Sequence, residues 1–232
     1  MSNSKFKLIV FDLDGTLVDS APDIAFAVDS MLAELGMAPR GVEQVRHFLG
    51  NGVEWLAKRA LTGELWAEPE PELLQKAKTR LLYHYGQING ERTKLYPGVT
   101  EVLAYAQHLS IQLACLTNKN RQFTEPLLAA MNLQQQFQFI SCGDDSLERK
   151  PDPAPLQRIM QQAGVDSFAA LMVGDSITDV KTARNAGTAV VGVSYGYNHG
   201  EPISDAEPDW VIDSMLEIRA ILDQSEPLLR QV

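Results

Sequence analysis

Leu8-Ile9-Val10-Phe11-Asp12-Leu13-Asp14-Gly15-Thr16 decides the fold. Four consecutive apolar residues leave no polar face, so the run suits a strand buried on both sides, as in a parallel sheet. Asp14-Gly15-Thr16 then reads as a turn leaving the C-terminal end of that strand. Beyond it the period changes. Ile24, Val28, Met31, Leu32 and Leu35 recur at helical spacing, and Gly36 can end the helix. Two further helical stretches are expected around 43–61 and 71–85, and no convincing strand falls within 17–93. After that, strand and helix alternate. Val99, Val102, Leu103 and Ala106 mark a helix, and a strand follows at 113–116. A helix near 122–131 precedes a strand near 137–140. Leu156, Ile159, Met160 and Ala163 mark the next helix. A strand at 170–173, a helix over 177–186 closed by Gly187 and a strand at 189–193 complete the pattern. Such alternation predicts an α/β fold. Its core (1–16 and 94–232) is a Rossmann-like parallel sheet with helices on both faces. A helical domain (17–93) is inserted after the first strand.

The composition sets wide bounds. The 232 residues suffice for one large domain or two small ones. Apolar residues make up 45% and charged residues 22%, as in ordinary soluble proteins. A net charge of −10 makes the chain a poor partner for nucleic acid or an anionic membrane. No apolar run approaches the roughly 20 residues that span a bilayer. The apolar run that Asp12 interrupts is too short for a signal peptide. Cys115 and Cys142 cannot by themselves build a disulfide framework or a thiolate metal site. A cytoplasmic setting is expected. Oligomeric state is not legible, because apolar surface and apolar core look alike in sequence.

Four polar signals sit at or beside predicted strand ends, where open α/β sheets bind their ligands. Asp12 and Asp14 leave the first strand two residues apart and can face one crevice. Thr117-Asn118 follows the strand at 113–116. Lys150-Pro151 opens the segment entering the helix at Leu156. Gly174-Asp175 follows the strand at 170–173, and Asp179 lies one helical turn on. If they converge, Asp12, Asp14, Asp175 and Asp179 gather four negative charges against the single positive charge of Lys150. Like charges packed together are unfavourable. The cluster calls for a hard divalent cation, and all-oxygen ligands favour Mg²⁺ over zinc. A carboxylate beside Mg²⁺ and Lys150 can attack phosphorus to give an aspartyl-phosphate. A second carboxyl two residues away can protonate the leaving oxygen and then activate water. The Thr117 hydroxyl, the Asn118 backbone amide and Lys150 would clamp the phosphoryl oxygens.

Asp12-Leu13-Asp14-Gly15-Thr16-Leu17-Val18-Asp19-Ser20 resembles the first motif of the haloacid dehalogenase-like hydrolase superfamily. Thr117, Lys150 and Gly174-Asp175…Asp179 resemble its other three motifs, in order, so the resemblance covers the whole chain. It implies that Asp12 is the nucleophile and Asp14 the acid/base. It also implies that Mg²⁺ is held by the Asp12 side chain, the Asp14 backbone carbonyl and Asp175. Asp179 would act through its neighbours rather than directly, and the insert at 17–93 would be a cap. Gly50-Asn51-Gly52-Val53-Glu54, Leu56–Leu61 and Gly192–Glu201 resemble the branch that hydrolyses 2-phosphoglycolate. In that branch the first of these segments is the substrate-specificity loop, between two cap helices. The stretch between Asn118 and Lys150 is too short for a second cap, so selectivity falls to the early insert. The expected substrate is a small phosphorylated metabolite.

Other readings of these residues exist. A phosphatase or pyrophosphatase acting on a sugar phosphate or nucleotide uses the same core. A dehalogenase or phosphonate hydrolase would lack a carboxylate at Asp14, and a phosphosugar mutase would carry a cap histidine near Ile24. A non-catalytic scaffold would have lost one of these groups. Taken singly, Asp-Gly is a common turn pair, Thr117-Asn118 and Asp175 can cap helices, Asp179 can complement a helix dipole, and Lys150 can be a solvated charge. His47, His84, His108 and His199 show no ligand spacing. Trp55, Trp66 and Trp210 read as packing residues, and Cys115 as a buried inert thiol. Arg46, Lys58 and Arg59 read as solvated helix charges, one of which could reach a substrate carboxylate.

Overall fold

In the computed structural model, which describes residues 4–223, the opening apolar run is the strand β1 (Leu8–Phe11), buried along its whole length. The chain continues through β2 (Val18–Asp19), α1 (Ala21–Glu34), α2 (Gly41–Phe48), α3 (Val53–Thr62), α4 (Pro71–Ile88) and β3 (Lys94–Leu95). Then come α5 (Val99–His108), β4 (Gln112–Leu116), α6 (Arg121–Ala130), β5 (Phe139–Ser141) and α7 (Ala154–Ala163). The last elements are β6 (Ala170–Gly174), α8 (Ile177–Ala186), β7 (Ala189–Val193), β8 (Trp210–Ile212) and α9 (Ile218–Asp223). Residues 1–3 and 224–232 of the anticipated core segments lie outside the described residues.

Six strands pair in the order β5-β4-β1-β6-β7-β8, all parallel. From β1 the chain winds outward one way to β4 and β5 and the other way to β6, β7 and β8. The reversal makes β1 the switch point, where such sheets open a crevice at their carboxyl ends. Register aligns those ends: Phe11 lies opposite Cys115 and Val173. Asp12, Thr117 and Asp175 therefore leave the sheet at nearly one level. Both faces are covered. Ile9 and Phe11 pack with Val102, Leu103, Ile218 and Ile221 of α5 and α9. Leu8 and Val10 pack with Leu156 and Ile159 of α7 and Val180 of α8. Each fully buried Leu, Ile or Phe contributes about 1.5–3 kcal/mol relative to exposure.

The four helices α1–α4 bury their own apolar faces together, with Val28, Met31, Leu32, Val45, Ala57 and Leu81 at the centre. Several features differ from the reading of the sequence. Residues 17–93 do contain a strand: β2 pairs antiparallel with β3, Val18 opposite Leu95 and Asp19 opposite Lys94. Two-residue strands are too short to leave a periodic signal. The stretch 43–61 is not one helix. Gly50, Asn51 and Gly52 take φ values of 106°, 63° and 87°, which stops α2 and lets α3 start in a new direction. The edge strand β8 and the short α9 were not anticipated at all; β8 has three residues and follows Pro208-Asp209.

Candidate active site

Lys150 is the hub at the carboxyl edge of the sheet. Its ammonium lies 2.7 Å from Asp12 Oδ1 and donates to Asp179 Oδ1 at 2.6 Å. All three side chains are buried. The Lys150 backbone is pinned by Asn118, whose amide donates to Lys150 O at 3.0 Å while its carbonyl oxygen accepts from Lys150 N at 3.1 Å. Thus the second residue after β4 positions the lysine that follows β5. This side-chain role is additional to the backbone role expected for Asn118. Thr117 begins the same loop, and its hydroxyl accepts from Lys119 N at 3.1 Å.

Asp179 sits in the first turn of α8 and closes a capping box. Its Oδ2 accepts from Ser176 N at 3.1 Å and from Ser176 Oγ at 2.7 Å. The helix is therefore capped by Ser176, not by Asp175. Both oxygens of Asp179 already have donors. Asp175 faces β1 instead: its Oδ1 accepts from Thr16 Oγ1 at 3.1 Å and its Oδ2 from Tyr197 N. Backbone packs tightly around these carboxylates. A Cβ at Gly15, where φ is +87°, would lie 2.1 Å from Asp175 Oδ2; one at Gly174 would lie 2.3 Å from Asp179 Cβ. Glycine is needed at both places.

Ligand oxygens of Asp12, Asp175 and Asp179 all lie within 4.8 Å of one another. Burial pushes the Asp12 carboxyl up; Lys150 opposes this, Asp179 adds to it, and the value lies at about 7. Burial, together with the Asp12 and Asp179 carboxylates, pushes Asp175 well above the usual range. Burial pulls the Lys150 ammonium down, but Asp12 and Asp179 more than reverse that and hold it above the ordinary lysine value. Buried carboxyls raised in this way are frustrated without further positive charge. A divalent cation bound by oxygen would relieve them, so the donor set fits a hard metal ion.

Asp14 has partners of its own. Ser20 Oγ donates to its Oδ1 at 2.5 Å, and Lys119 Nζ donates to both of its oxygens at 2.9 Å. The sequence did not single out Lys119. A lysine in a turn after a strand carries no signal, and its partner lies 105 residues away.

The sequence-predicted groups come together. Asp12, Asp14, Thr117, Asn118, Lys150 and Asp175 line one cavity of about 140 Å³, which Gly50, Asn51 and Gly52 also border. Arg46, Lys58 and Arg59 do not line it. Arg46 pairs with Asp19 at 2.7 Å, and Lys58 with Glu68 at 2.8 Å. Arg59 is fully buried rather than solvated, because it is the scaffold of the loop before α3. It donates to Phe48 O at 2.7 Å, Gly50 O at 3.2 Å and Asn51 Oδ1 at 2.9 Å, and lies against Trp55 and Trp66. Tyr197, also not foreseen as a site residue, joins the two units. Its backbone holds Asp175, and its hydroxyl donates to Asp19 Oδ1 at 2.5 Å beside the β2 strand.

A doubly wound sheet with buried carboxylates and a lysine at its switch point defines an α/β enzyme centre for anionic chemistry. The sequence profile of the haloacid dehalogenase-like hydrolases matches residues 9–193, and the chain belongs to that family. It is 47% identical over 219 residues to a phosphoglycolate phosphatase of Nitrosococcus oceani, covering 94% of this chain and 97% of the relative. It is 46% identical to a phosphoglycolate phosphatase of Pseudomonas savastanoi pv. phaseolicola, covering 96% and 82%. Among solved structures, a predicted phosphoglycolate phosphatase from Haemophilus somnus superposes with a TM-score of 0.88 at 35% identity, covering 94% of this chain and 98% of that one. No described helix is long and apolar enough to cross a membrane.

Proposed function

We propose that this chain is a Mg²⁺-dependent phosphatase that hydrolyses 2-phosphoglycolate to glycolate and phosphate through an aspartyl-phosphate on Asp12. The observation that carries the reading is the junction of Asp12, Lys150 and Asp175 at one strand edge, with Asp14 lining the same cavity. The names of the relatives support the substrate. The Asp12 side chain, the Asp14 backbone carbonyl and Asp175 would hold Mg²⁺, which, when bound, neutralises charge on the phosphoryl oxygens.

Lys150 and the Thr117-Asn118 turn orient the phosphoryl group. An Asp12 oxygen attacks phosphorus, and the bond to the glycolate oxygen breaks as that oxygen takes a proton from the Asp14 carboxyl. Water then attacks the same phosphorus, Asp14 takes its proton back, and Asp12 leaves as a carboxylate. The helical unit acts as a cap that excludes bulk water and carries the loop at Gly50, Asn51 and Gly52. A cytoplasmic setting is supported by two unpaired, buried cysteines, Cys115 and Cys142.

Steady-state phosphate release from a panel of small esters tests the reading. We expect 2-phosphoglycolate to rank first by kcat/KM, with turnover requiring Mg²⁺. Asp12→Asn lowers kcat by at least ~10³-fold, as losing a nucleophile does in other covalent enzymes. Full turnover by that variant contradicts the nucleophile.

A further inference from the structure

Two ammonium groups line the cavity among the described residues, and no guanidinium does. Lys150 is taken up by Asp12 and Asp179 and lies where the phosphoryl group must go. That leaves Lys119. Its side chain is 8% exposed, and its Nζ bridges both oxygens of Asp14. The same Nζ lies 4.7 Å from the ring centroid of Tyr85, contributed by α4 of the helical unit. Tyr85 is 6% exposed and lines the same cavity, and its hydroxyl is a buried polar atom with no hydrogen-bond partner in the described structure. Phe123 packs edge-on against the ring at 5.1 Å, which restrains the ring where it stands.

A buried hydroxyl without a partner is costly, and natural proteins keep one when something else supplies the partner. The unfilled donor and the Lys119 ammonium lie side by side, one on the helical unit and one on the core. Resting on the substrate reading above, we propose that Lys119 and Tyr85 form the subsite that reads the substrate's carboxylate. The Tyr85 hydroxyl donates one hydrogen bond to it, and the Lys119 ammonium shifts from Asp14 to share its charge. The pair selects esters that carry a second anionic group close to the phosphate. Because it spans core and helical unit, the carboxylate also draws the two together.

The test compares 2-phosphoglycolate with ethyl phosphate, which has a methyl group where the carboxylate would be. Both are assayed with wild type, Lys119→Met and Tyr85→Phe, and the readout is the ratio of the two kcat/KM values. We expect wild type to favour 2-phosphoglycolate. Lys119→Met should shrink the preference by about 10–100-fold, the range for a lost charge-assisted hydrogen bond. Tyr85→Phe should shrink it by roughly 3–10-fold, through KM, with little change in Tm, since no hydrogen bond of normal length is lost with the hydroxyl. Should Lys119→Met fail to fold, Tyr85→Phe alone decides. Equal losses on both esters overturn the subsite and leave Lys119 as a support for Asp14. A wild type that shows no preference for 2-phosphoglycolate sinks the substrate reading itself, which is a separate outcome.

Discussion

Asp12 carries a charge conflict. Burial pushes its carboxyl up to about 7, from the ordinary 3.8, although Lys150 stands beside it. Between those two values the folded chain binds a proton that the unfolded chain has lost. Stability tied to this group is therefore fully present below about pH 4 and is lost as pH rises through 7. In metal-free buffer, Asp12→Asn should be more stable than wild type at pH 8, on the order of 4 kcal/mol, and this advantage should vanish near pH 4. Urea unfolding across that range checks it; a pH-independent difference contradicts the conflict. Asp12 and Asp175 were legible because each stands in a short motif at a predicted strand end, and Lys150 because it opens the segment entering the helix at Leu156. Lys119 and Tyr197 were not. Their meaning lies in partners 105 and 178 residues away, which no local pattern reports.

At the scale of elements, the turn between α2 and α3 is the least self-sufficient part of the site. Gly50, Asn51 and Gly52 all have positive φ, and Arg59 holds two carbonyls and one side chain of the segment from inside. No carboxylate pairs with this guanidinium among the described contacts, and burial pulls its pKa down. Its partners are the carbonyls and the faces of Trp55 and Trp66. Arg59→Met keeps the apolar stem but releases the loop. It should lower stability by about 2–4 kcal/mol, as breaking a buried charged hydrogen-bond network does. It should also raise KM more than it lowers kcat. Unchanged KM with full stability loss would mean that the loop does not meet the substrate. Periodicity did not show the break at Gly50-Asn51-Gly52, which only the family resemblance suggested, and Arg59 escaped because a charged residue on a helix reads as solvated. The β2–β3 pair was missed for a different reason: its two-residue strands are more than 70 residues apart and have no period of their own.

Over the whole molecule, strand and helix alternation exposed the core, since both faces of every central strand are apolar. What alternation could not reveal is how the helical unit is tied to it. Asp23 does part of this: from α1 it accepts from Gly90 N, Arg92 N, Thr93 N and Thr93 Oγ1, fastening the return crossing. Tyr197 adds a second tie, linking Asp175 to Asp19 and so the buried carboxylate cluster to the β2–β3 pair. Cation binding should then stabilise the whole chain. At 100 times its dissociation constant, Mg²⁺ should add about 2.7 kcal/mol to the unfolding free energy of wild type and far less to that of Asp175→Asn. Calorimetry with and without Mg²⁺ measures this, and an equal gain in both proteins would place the ion elsewhere.

The most direct trial of the central claim is to quench the enzyme within one turnover of 2-phosphoglycolate and map the phosphorylated peptide. We expect an acid-stable, alkali-labile phosphoryl group on the peptide containing Asp12, absent from Asp12→Asn. Phosphate released with no labelled enzyme at any quench time, or a label on a peptide lacking residue 12, would contradict it.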